Sequence, residues 1–347
     1  METILLLAHT DAEGALPKAA FEALAGAKTL ADGLTGSALL IGLFGGQIQA
    51  AADQVANAGA SKILGVAGAD FSQPRYASDA AAAEALAKAV GATIIVAPAT
   101  SRLSRVAAGV AARLGGRVDT HVTAVAVEGG APLLRRWFYR QRMEGAFQRT
   151  QRPWVITVDP GSLAPWASAS GAAGSASVET VAVTLADSAR RTTVTGVQSP
   201  TAGEQTIRPD AKLLFVTGAG WTKNQADGKV HLEDAATLIM GFVRATQASL
   251  GSSKSLVDLS GSGQAVLPFL SHLNQVGQTG ATPRHPKGLS TCCHGEEPHV
   301  VGWRFVNERR AVNLDANCGW AQGKADVLYV ADAFEVMAKV NALLEEK

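Results

Sequence analysis

Sulfur and imidazole side chains cluster near residue 293, and these are groups that bind transition metals. Cys292, Cys293 and His294 are consecutive, and Cys318 follows further along the chain. Thiolates and imidazole suit both zinc and iron–sulfur clusters. Adjacent cysteines are a poor chelating pair, because neighbouring side chains of a strand point to opposite faces. We therefore expect no metal and interpret the cysteines as small buried thiols, with a metal site as the alternative.

Other residues with useful chemistry share a different property: each ends or follows a short apolar run. In an open α/β sheet, ligands bind at the carboxyl ends of the strands. Residues that are distant in sequence can therefore meet at one edge of a sheet, and their convergence would suit a nucleotide-type cofactor. The residues at such ends are Gly218, Gln278, Thr279, His299, Asn313 and Asp332.

The elements that would position these residues begin with an alternation of strands and helices. Four apolar runs, at 4–8, 38–45, 61–68 and 92–99, alternate with Ala-rich segments of helical spacing. This order predicts an α/β fold with a mostly parallel sheet covered by helices on both faces. From Val118 onward the pattern becomes rich in strands, and a low-complexity segment at 162–177 predicts an exposed loop.

A second composition shift predicts two domains. Residues 196–211 are polar and lack an apolar period, so we interpret them as a linker between an N-terminal α/β domain at 1–195 and a second domain at 212–347. The run KLLFVTGAG (212–220) then starts a strand–turn–helix unit. Its small residues could let a phosphate approach the backbone, or they could simply pack a strand against a helix.

Composition and charge argue against several classes of protein. Hydrophobic residues make up 47% and charged residues 18% of the 347 residues, which is typical of a globular protein. The formal net charge of +1 argues against nucleic acid as the main partner. No apolar stretch is long enough for membrane insertion, and the N-terminus lacks the pattern of a secretion signal. Three cysteines form no disulfide framework, so we expect a protein of the bacterial cytoplasm.

The second half of the chain resembles the alpha subunit of electron-transfer flavoproteins. The resemblance is specific from about 212 to 336, and it includes the intervals from Thr279 to His299, then Gly302, then Asn313. The first half resembles the family more loosely, through SRVAAGVAARLGGRVDTHV and the strands that follow. The matching motifs of the second half are VTGAG at 216–220, SKSLVD at 253–258, VGQTG at 276–280, HxxG at 299–302, AVNLD at 311–315 and ADAFEV at 331–336.

The resemblance implies that FAD binds to a Rossmann-like second domain. On the flavin side, Thr279 would face the flavin N5, His299 would reach the N1–O2 edge, and Lys254 would lie over the ring. Ser253 would bond the ribityl or phosphate region. The backbone that lines the ring would come from Val276, Gly277 and Gln278.

On the other side, Asn313 and the Asp332–Ala333 pair would hold the AMP half of FAD. Gly218 and Gly220 would let the pyrophosphate approach the first turn of the following helix.

The chain departs from the family pattern around the flavin. Lys254 and Gly220 stand where the family usually has arginine, and the connection between Asp258 and Thr279 is longer than usual. Two carboxylates near His299 would disfavour an anionic flavin, unless they point to solvent or pair with a basic side chain. The cofactor loop that carries these changes consists of His294, Gly295, Glu296, Glu297, Pro298 and His299.

A series of arginines lies in the strand-rich part of the first domain. We interpret it as a solvated face on paired strands, with docking of a partner as the alternative. Its members are Arg135, Arg136, Arg140, Arg142, Arg149 and Arg152.

The resemblance implies an electron carrier without a small-molecule substrate of its own. With a beta subunit in a heterodimer, the chain would carry electrons from flavin-dependent dehydrogenases toward a quinone reductase and the respiratory chain. The alternative is a paralogue of the same fold that binds an adenine nucleotide without redox chemistry, or that serves a structural role.

Overall fold

The computed structural model describes residues 1–138, 143–168, 174–196, 207–208, 211–258, 265–276, 285–292, 306–316 and 325–346. The chain divides into two compact units, Met1–Val197 and Gln198–Lys347. The predicted linker at 196–211 falls largely outside the described residues, and its bounds stay a prediction.

The first unit is built on a mostly parallel sheet, which in the described residues has nine strands in the order β7-β6-β5-β8-β4-β1-β2-β3-β9. Only the β5–β6 and β6–β7 pairs among the described strands are antiparallel. The strands are β1 Thr3–His9, β2 Ala38–Gly45, β3 Lys62–Ala67, β4 Ile94–Pro98, β5 Arg117–Glu128, β6 Ala131–Phe138, β7 Met143–Phe147, β8 Trp154–Val158 and β9 Val178–Thr180.

Helices cover both faces of this sheet, which explains why its central strands are apolar throughout. Alternate residues of β1 enter two separate cores: Ile4 and Leu6 face one, and Leu5 and Leu7 face the other. The helices are α1 Lys18–Gly33, α2 Gln49–Gln54, α3 Ala69–Ser72, α4 Tyr76–Val90 and α5 Ser101–Arg113. The predicted strands and long helices of this unit are therefore confirmed.

The segment predicted as an exposed loop forms neither helix nor strand over 162–168 and 174–177. It is nevertheless attached to the unit. The N–H of Trp166 donates to the carbonyl of Phe21 over 2.9 Å, and the N–H of Ala176 donates to the Asp53 carboxylate over 2.9 Å. The loop is thus bound to α1 and α2 and only partly exposed.

The second unit contains a parallel sheet, which over the described residues has five strands in the order β11-β10-β12-β13-β14. The strands are β10 Leu213–Thr217, β11 Ser249–Ser252, β12 His285–Thr291, β13 Val306–Asn313 and β14 Val327–Val330. The helices of this unit are α6 Leu232–Thr246, α7 Lys254–Asp258 and α8 Ala333–Glu345. Helices α6 and α8 pack on one face, around Phe215, Trp221 and Met337. The predicted α/β class holds for both units.

Strand β12 lies in a part of the chain where the sequence pattern predicted no strand. Residues 285–291 do not merely turn the chain, because they form a strand that pairs with β10 on one side and with β13 on the other. Pro286 has no N–H to donate to a neighbouring strand. The residues on either side of it, His285 and Lys287, pair with Val306 and Glu308 of β13. A proline next to a lysine is atypical of an inner strand, so the sequence pattern did not indicate one here.

Three of the four described arginines of the series are only partly exposed and bind acidic groups, unlike the solvated face that we predicted. Arg149 donates from Nε and Nη2 to both carboxylate oxygens of Asp119, the second over 2.9 Å. Arg136 lies 3.5 Å from the same carboxylate, and the indole N–H of Trp154 donates to it over 2.9 Å. Asp119 is buried. The buried carboxylate of Asp119 on β5 is therefore shared by Arg149, Arg136 and Trp154.

The remaining arginines of the series have separate partners. Arg152 donates to Glu2 over 2.7 Å, and Arg135 lies 3.7 Å from Glu144. Arg140 and Arg142 lie outside the described residues. The four described arginines of the series thus form ion pairs within the first unit, and Arg135 remains exposed.

Candidate functional site

The order of the second sheet indicates where a ligand would bind. Numbered along the chain within this unit, its strands run 2-1-3-4-5, which is the order of flavodoxin-like sheets. The chain reverses direction across the sheet between β10 and β12, and a crevice at the carboxyl ends is expected beside that point. The predicted residues Gly218, Ser253, Asn313 and Asp332 all lie at this carboxyl edge.

A small pocket that is open to solvent lies beside this point. Its described lining includes four of the predicted residues: Gly220, Asn313, Asp332 and Ala333. The structure thus brings together residues from the ends of three elements that are far apart in sequence. The other described lining residues are Gln225, Cys292, Val312, Leu314, Ala331 and Phe334.

The described pocket wall is mostly apolar and contains no basic side chain, while Asp332 is its only carboxylate. Such a wall suits a flat, uncharged group with hydrogen-bond donors, and it does not suit a phosphate. Adenine has these properties. The described wall is therefore compatible with an adenine-like group and offers no positive charge for a phosphate.

Asp332 caps the helix that follows β14. Its Oδ1 accepts from the N–H groups of Phe334 over 2.7 Å and of Glu335 over 3.3 Å, so the carboxylate satisfies the amino end of α8. A capped helix end leaves few donors for a phosphate. Its second carboxylate oxygen remains suited to accept from a ribose hydroxyl, as acidic residues do in dinucleotide-binding folds.

Asn313 is buried at the end of β13, with 2% of its surface exposed. Its Oδ1 accepts from the N–H of Asp315 over 3.2 Å, which fixes the turn after the strand. Its carbonyl accepts from the N–H of Ala331 over 3.1 Å. These bonds hold the ends of β13 and β14 together at the pocket.

The two glycines differ from the expected phosphate loop. The N–H of Gly218 donates to Thr291 over 2.8 Å, and that of Gly220 donates to Cys292 over 3.1 Å. A 3₁₀ turn at Ala219–Thr222 follows, and α6 begins only at Leu232 with two acidic residues in its first turn. Both amides are therefore engaged within the protein, and α6 starts further along the chain. The predicted approach of pyrophosphate to these glycines stays a prediction.

Two of the described residues assigned to the flavin side, Ser253 and Lys254, follow the end of β11, on the other side of β10 from the pocket. Ser253 is buried, and its Oγ accepts from the N–H of Leu256 over 3.2 Å. Lys254 is about half exposed and pairs with Asp258 over 3.0 Å. These two side chains therefore already have partners within α7.

Val276 directs its side chain into the core, and its N–H donates to Ser252 over 3.0 Å. The Oγ of Ser252 is itself buried and has no hydrogen-bond partner among the described residues. A buried hydroxyl without a partner at this edge is compatible with a polar ligand group nearby. Its neighbour Ser253 carries the predicted contact to the ribityl or phosphate region.

Nine of the predicted cofactor residues lie outside the described residues, and their roles stay predictions. They are Gly277, Gln278, Thr279, His294, Gly295, Glu296, Glu297, Pro298 and His299.

Sequence reasoning gave no ligand-binding role to six of the described lining residues, among them Gln225, Cys292 and Phe334. Gln225 lies in a polar loop with no motif, Cys292 was interpreted as a small buried thiol with a metal ligand as the alternative, and Phe334 falls within ADAFEV without a role of its own. Phe334 packs against the buried Trp221 with ring centroids 4.6 Å apart. Cys292 directly follows β12, whereas Gln225 and Phe334 come a few residues after β10 and β14. This was the available signal, since ligands bind at such strand ends.

The described residues lack two features that would indicate other functions. No cluster of three or more His, Cys, Asp or Glu side chains that could hold a metal ion is found there; Cys293, His294 and Cys318 lie outside that part. Within the same part of the chain, no helix has both the length and the apolar character needed to cross a membrane.

Comparison with known proteins assigns the family. The electron transfer flavoprotein domain family matches residues 4–186, which is more than half of the 347-residue chain. No curated protein matches the chain. The match covers the first unit, where the sequence resemblance was looser, and it leaves the cofactor residues of the second unit as predictions. The chain belongs to the electron transfer flavoprotein family.

Proposed function

We propose that this chain is the alpha subunit of an electron-transfer flavoprotein and binds FAD at the carboxyl edge of the second sheet. The observation that supports this most is the meeting of Gly220, Asn313, Asp332 and Ala333 at one pocket. The resemblance assigns Asn313 and the Asp332–Ala333 pair to the AMP half of FAD, and Gly220 to the pyrophosphate, through motifs that match the family. The flavodoxin-like strand order and the family match of the first unit support the same assignment.

The residues proposed to bind FAD lie on both sides of β10, and each side would bind a different part of the cofactor. Asp332 would accept from a ribose hydroxyl, and Asn313 would hold the strand ends that shape the adenosine pocket. On the side of β11, Ser253 can still donate its hydroxyl proton to a ribityl or phosphate oxygen. FAD, when bound, supplies reversible electron transfer, and the protein supplies binding, orientation and the charge around it.

As the partner we propose a beta subunit, which would complete a heterodimer. Flavin-dependent dehydrogenases would donate electrons, and a quinone reductase would accept them. The chain would act as a carrier and would not transform a small molecule of its own.

Expression with and without the beta subunit tests this function. We expect the chain alone to be poorly soluble or poor in flavin, because a surface meant for the partner would stay uncovered. Together with the beta subunit, we expect a yellow complex whose flavin is reduced by a dehydrogenase and its substrate. A monomeric chain that holds a full complement of FAD, with thermal stability unchanged by the beta subunit, would rule out the heterodimer.

One observation favours a second candidate. The described pocket wall suits adenosine in general, so it would also fit an adenine nucleotide without a flavin. In that case the purified protein would be colourless and would contain AMP or ADP. Flavin absorbance of the purified complex separates the two functions directly.

A further inference from the structure

The amide of Gln225 has a fixed orientation at the edge of the pocket. Its Nε2 donates to the carbonyl oxygen of Gly220 over 3.0 Å and to that of Lys223 over 2.7 Å. A side-chain amide has two N–H donors, and both are therefore used inside the protein. Only Oε1, which is an acceptor, remains for a ligand.

The backbone around Gln225 holds this side chain in place. The N–H of Gln225 donates to the carbonyl of Lys229 over 2.8 Å, and its own carbonyl accepts from Gly228 over 2.9 Å. Rotation of the amide by half a turn would bring Oε1 against two carbonyl oxygens and break both side-chain bonds. The acceptor is thus held in place before any ligand arrives.

From this geometry we propose that Gln225 selects the base of the nucleotide by accepting a hydrogen bond from an exocyclic amino group, as in adenine. A base with a carbonyl oxygen at that position, such as hypoxanthine, would place one acceptor against another. This inference rests on the proposed function, since it assumes that the adenosine portion of FAD enters the pocket. It assigns a role in base specificity to a residue that the sequence motifs did not indicate.

Competition with FAD tests the proposal on the full chain in complex with its beta subunit. After the flavin has been removed, FAD binding is titrated in the presence of ADP or of inosine diphosphate, which differs in carrying a carbonyl in place of the amino group. We expect ADP to compete about ten-fold more strongly, which corresponds to the loss of one hydrogen bond at a partly buried site. In Gln225→Ala, the two nucleotides should compete about equally.

The matched control is Asn224→Ala, an exposed neighbour on the same loop. It should retain the preference of the parent for ADP. The experiment measures the ratio of the affinities for ADP and inosine diphosphate. A general loosening of the loop in Gln225→Ala would weaken the binding of both nucleotides and would not by itself remove the preference for ADP.

The outcomes separate this inference from the function on which it rests. If FAD binds and ADP and inosine diphosphate compete equally in the parent, base selection is overturned and the proposed function stands. A preference for ADP that persists in Gln225→Ala also overturns it. If neither FAD nor ADP binds the parent complex, both the proposed function and the role of Gln225 are wrong.

Discussion

The carbonyl oxygen of Asn313 accepts a hydrogen bond from the N–H of Ala331 over 3.1 Å. This bond continues the pairing of β13 with β14 to the last residue of β13, and it places Asn313 beside the residue before Asp332. The two side chains assigned to the AMP half of FAD therefore line one pocket, although they are far apart in sequence. Their proximity follows from parallel pairing, since the carboxyl ends of neighbouring parallel strands lie at the same edge of a sheet.

Asn313 and His299 should affect different properties of the bound flavin. We expect Asn313→Ala to weaken FAD binding and to leave the redox potential nearly unchanged, because Asn313 lies at the proposed adenosine end. His299→Ala should shift the potential more than it weakens binding, since the resemblance places this histidine at the flavin ring. Reductive titration and FAD dissociation measured on both variants check this. An equal shift in potential for the two variants would show that the ends are wrongly assigned.

Asp332 should have two roles that substitution can separate. Asp332→Asn keeps an oxygen that can cap α8, so its stability should stay close to that of the parent, while FAD binding weakens about ten-fold through loss of the charged acceptor. Asp332→Ala should weaken binding similarly and also lose about 1 kcal/mol of stability, because the cap is removed. Urea unfolding and FAD titration measure the two effects. Unchanged FAD binding in Asp332→Asn would show that the carboxylate only caps α8 and does not bind FAD.

Glu22 should make the stability of the first unit depend on pH. Burial raises the pKa of its carboxyl above the usual 4.5, although the N–H of Gly161 donates to it over 2.6 Å. A carboxyl with a raised folded pKa contributes stability that is fully present below its unfolded pKa. This contribution is lost as the pH rises through the folded pKa.

Glu22→Gln keeps an acceptor for Gly161 without the charge. The stability of this variant relative to the parent should therefore be more favourable at neutral pH than below pH 4.5. Urea unfolding at several pH values measures the difference. A relative stability that improves on acidification would contradict the proposed effect of burial.

Asp119 should be a main determinant of stability in the strand-rich part of the first unit. Asp119→Ala leaves Arg149, Arg136 and the indole N–H of Trp154 without their shared acceptor, and we expect a loss of about 3 kcal/mol. The control is Asp326→Ala, which removes the more exposed partner of Arg309 and should cost much less. Comparable losses of unfolding free energy in the two variants, measured by urea unfolding, would show that the buried cluster stabilises the protein no more than an exposed ion pair.

The fold was predictable where local pattern and burial agree. The run at 38–45 coincides with β2 because a strand that is covered on both faces must be apolar along its length. Strand β12 was not predictable in this way, since its pairing with β10 and β13 depends on contacts distant in sequence, and Pro286 and Lys287 obscure the pattern. The same reason hid the partner of Arg149, because Asp119 lies on another strand.

For the candidate site, the strand-end positions and the motifs AVNLD and ADAFEV were enough to predict that Asn313 and Asp332 lie together. They did not indicate Gln225, whose role depends on which carbonyl groups its amide meets. They also suggested a phosphate loop at Gly218 and Gly220, whereas the N–H groups of both glycines donate to Thr291 and Cys292 at the end of β12. Sequence patterns therefore located the pocket, and only the hydrogen bonds determine what its wall can recognise.

The flavin content of the complex with the beta subunit tests the central claim most directly. We compare the parent with the double variant Asn313→Ala, Asp332→Asn and measure the FAD released per chain on denaturation. The account predicts FAD in an amount equimolar with the parent chain and a large loss in the double variant, with both complexes still assembled. A parent complex without FAD, or a double variant that retains all of it, would contradict the claim that this edge of the second sheet holds the cofactor.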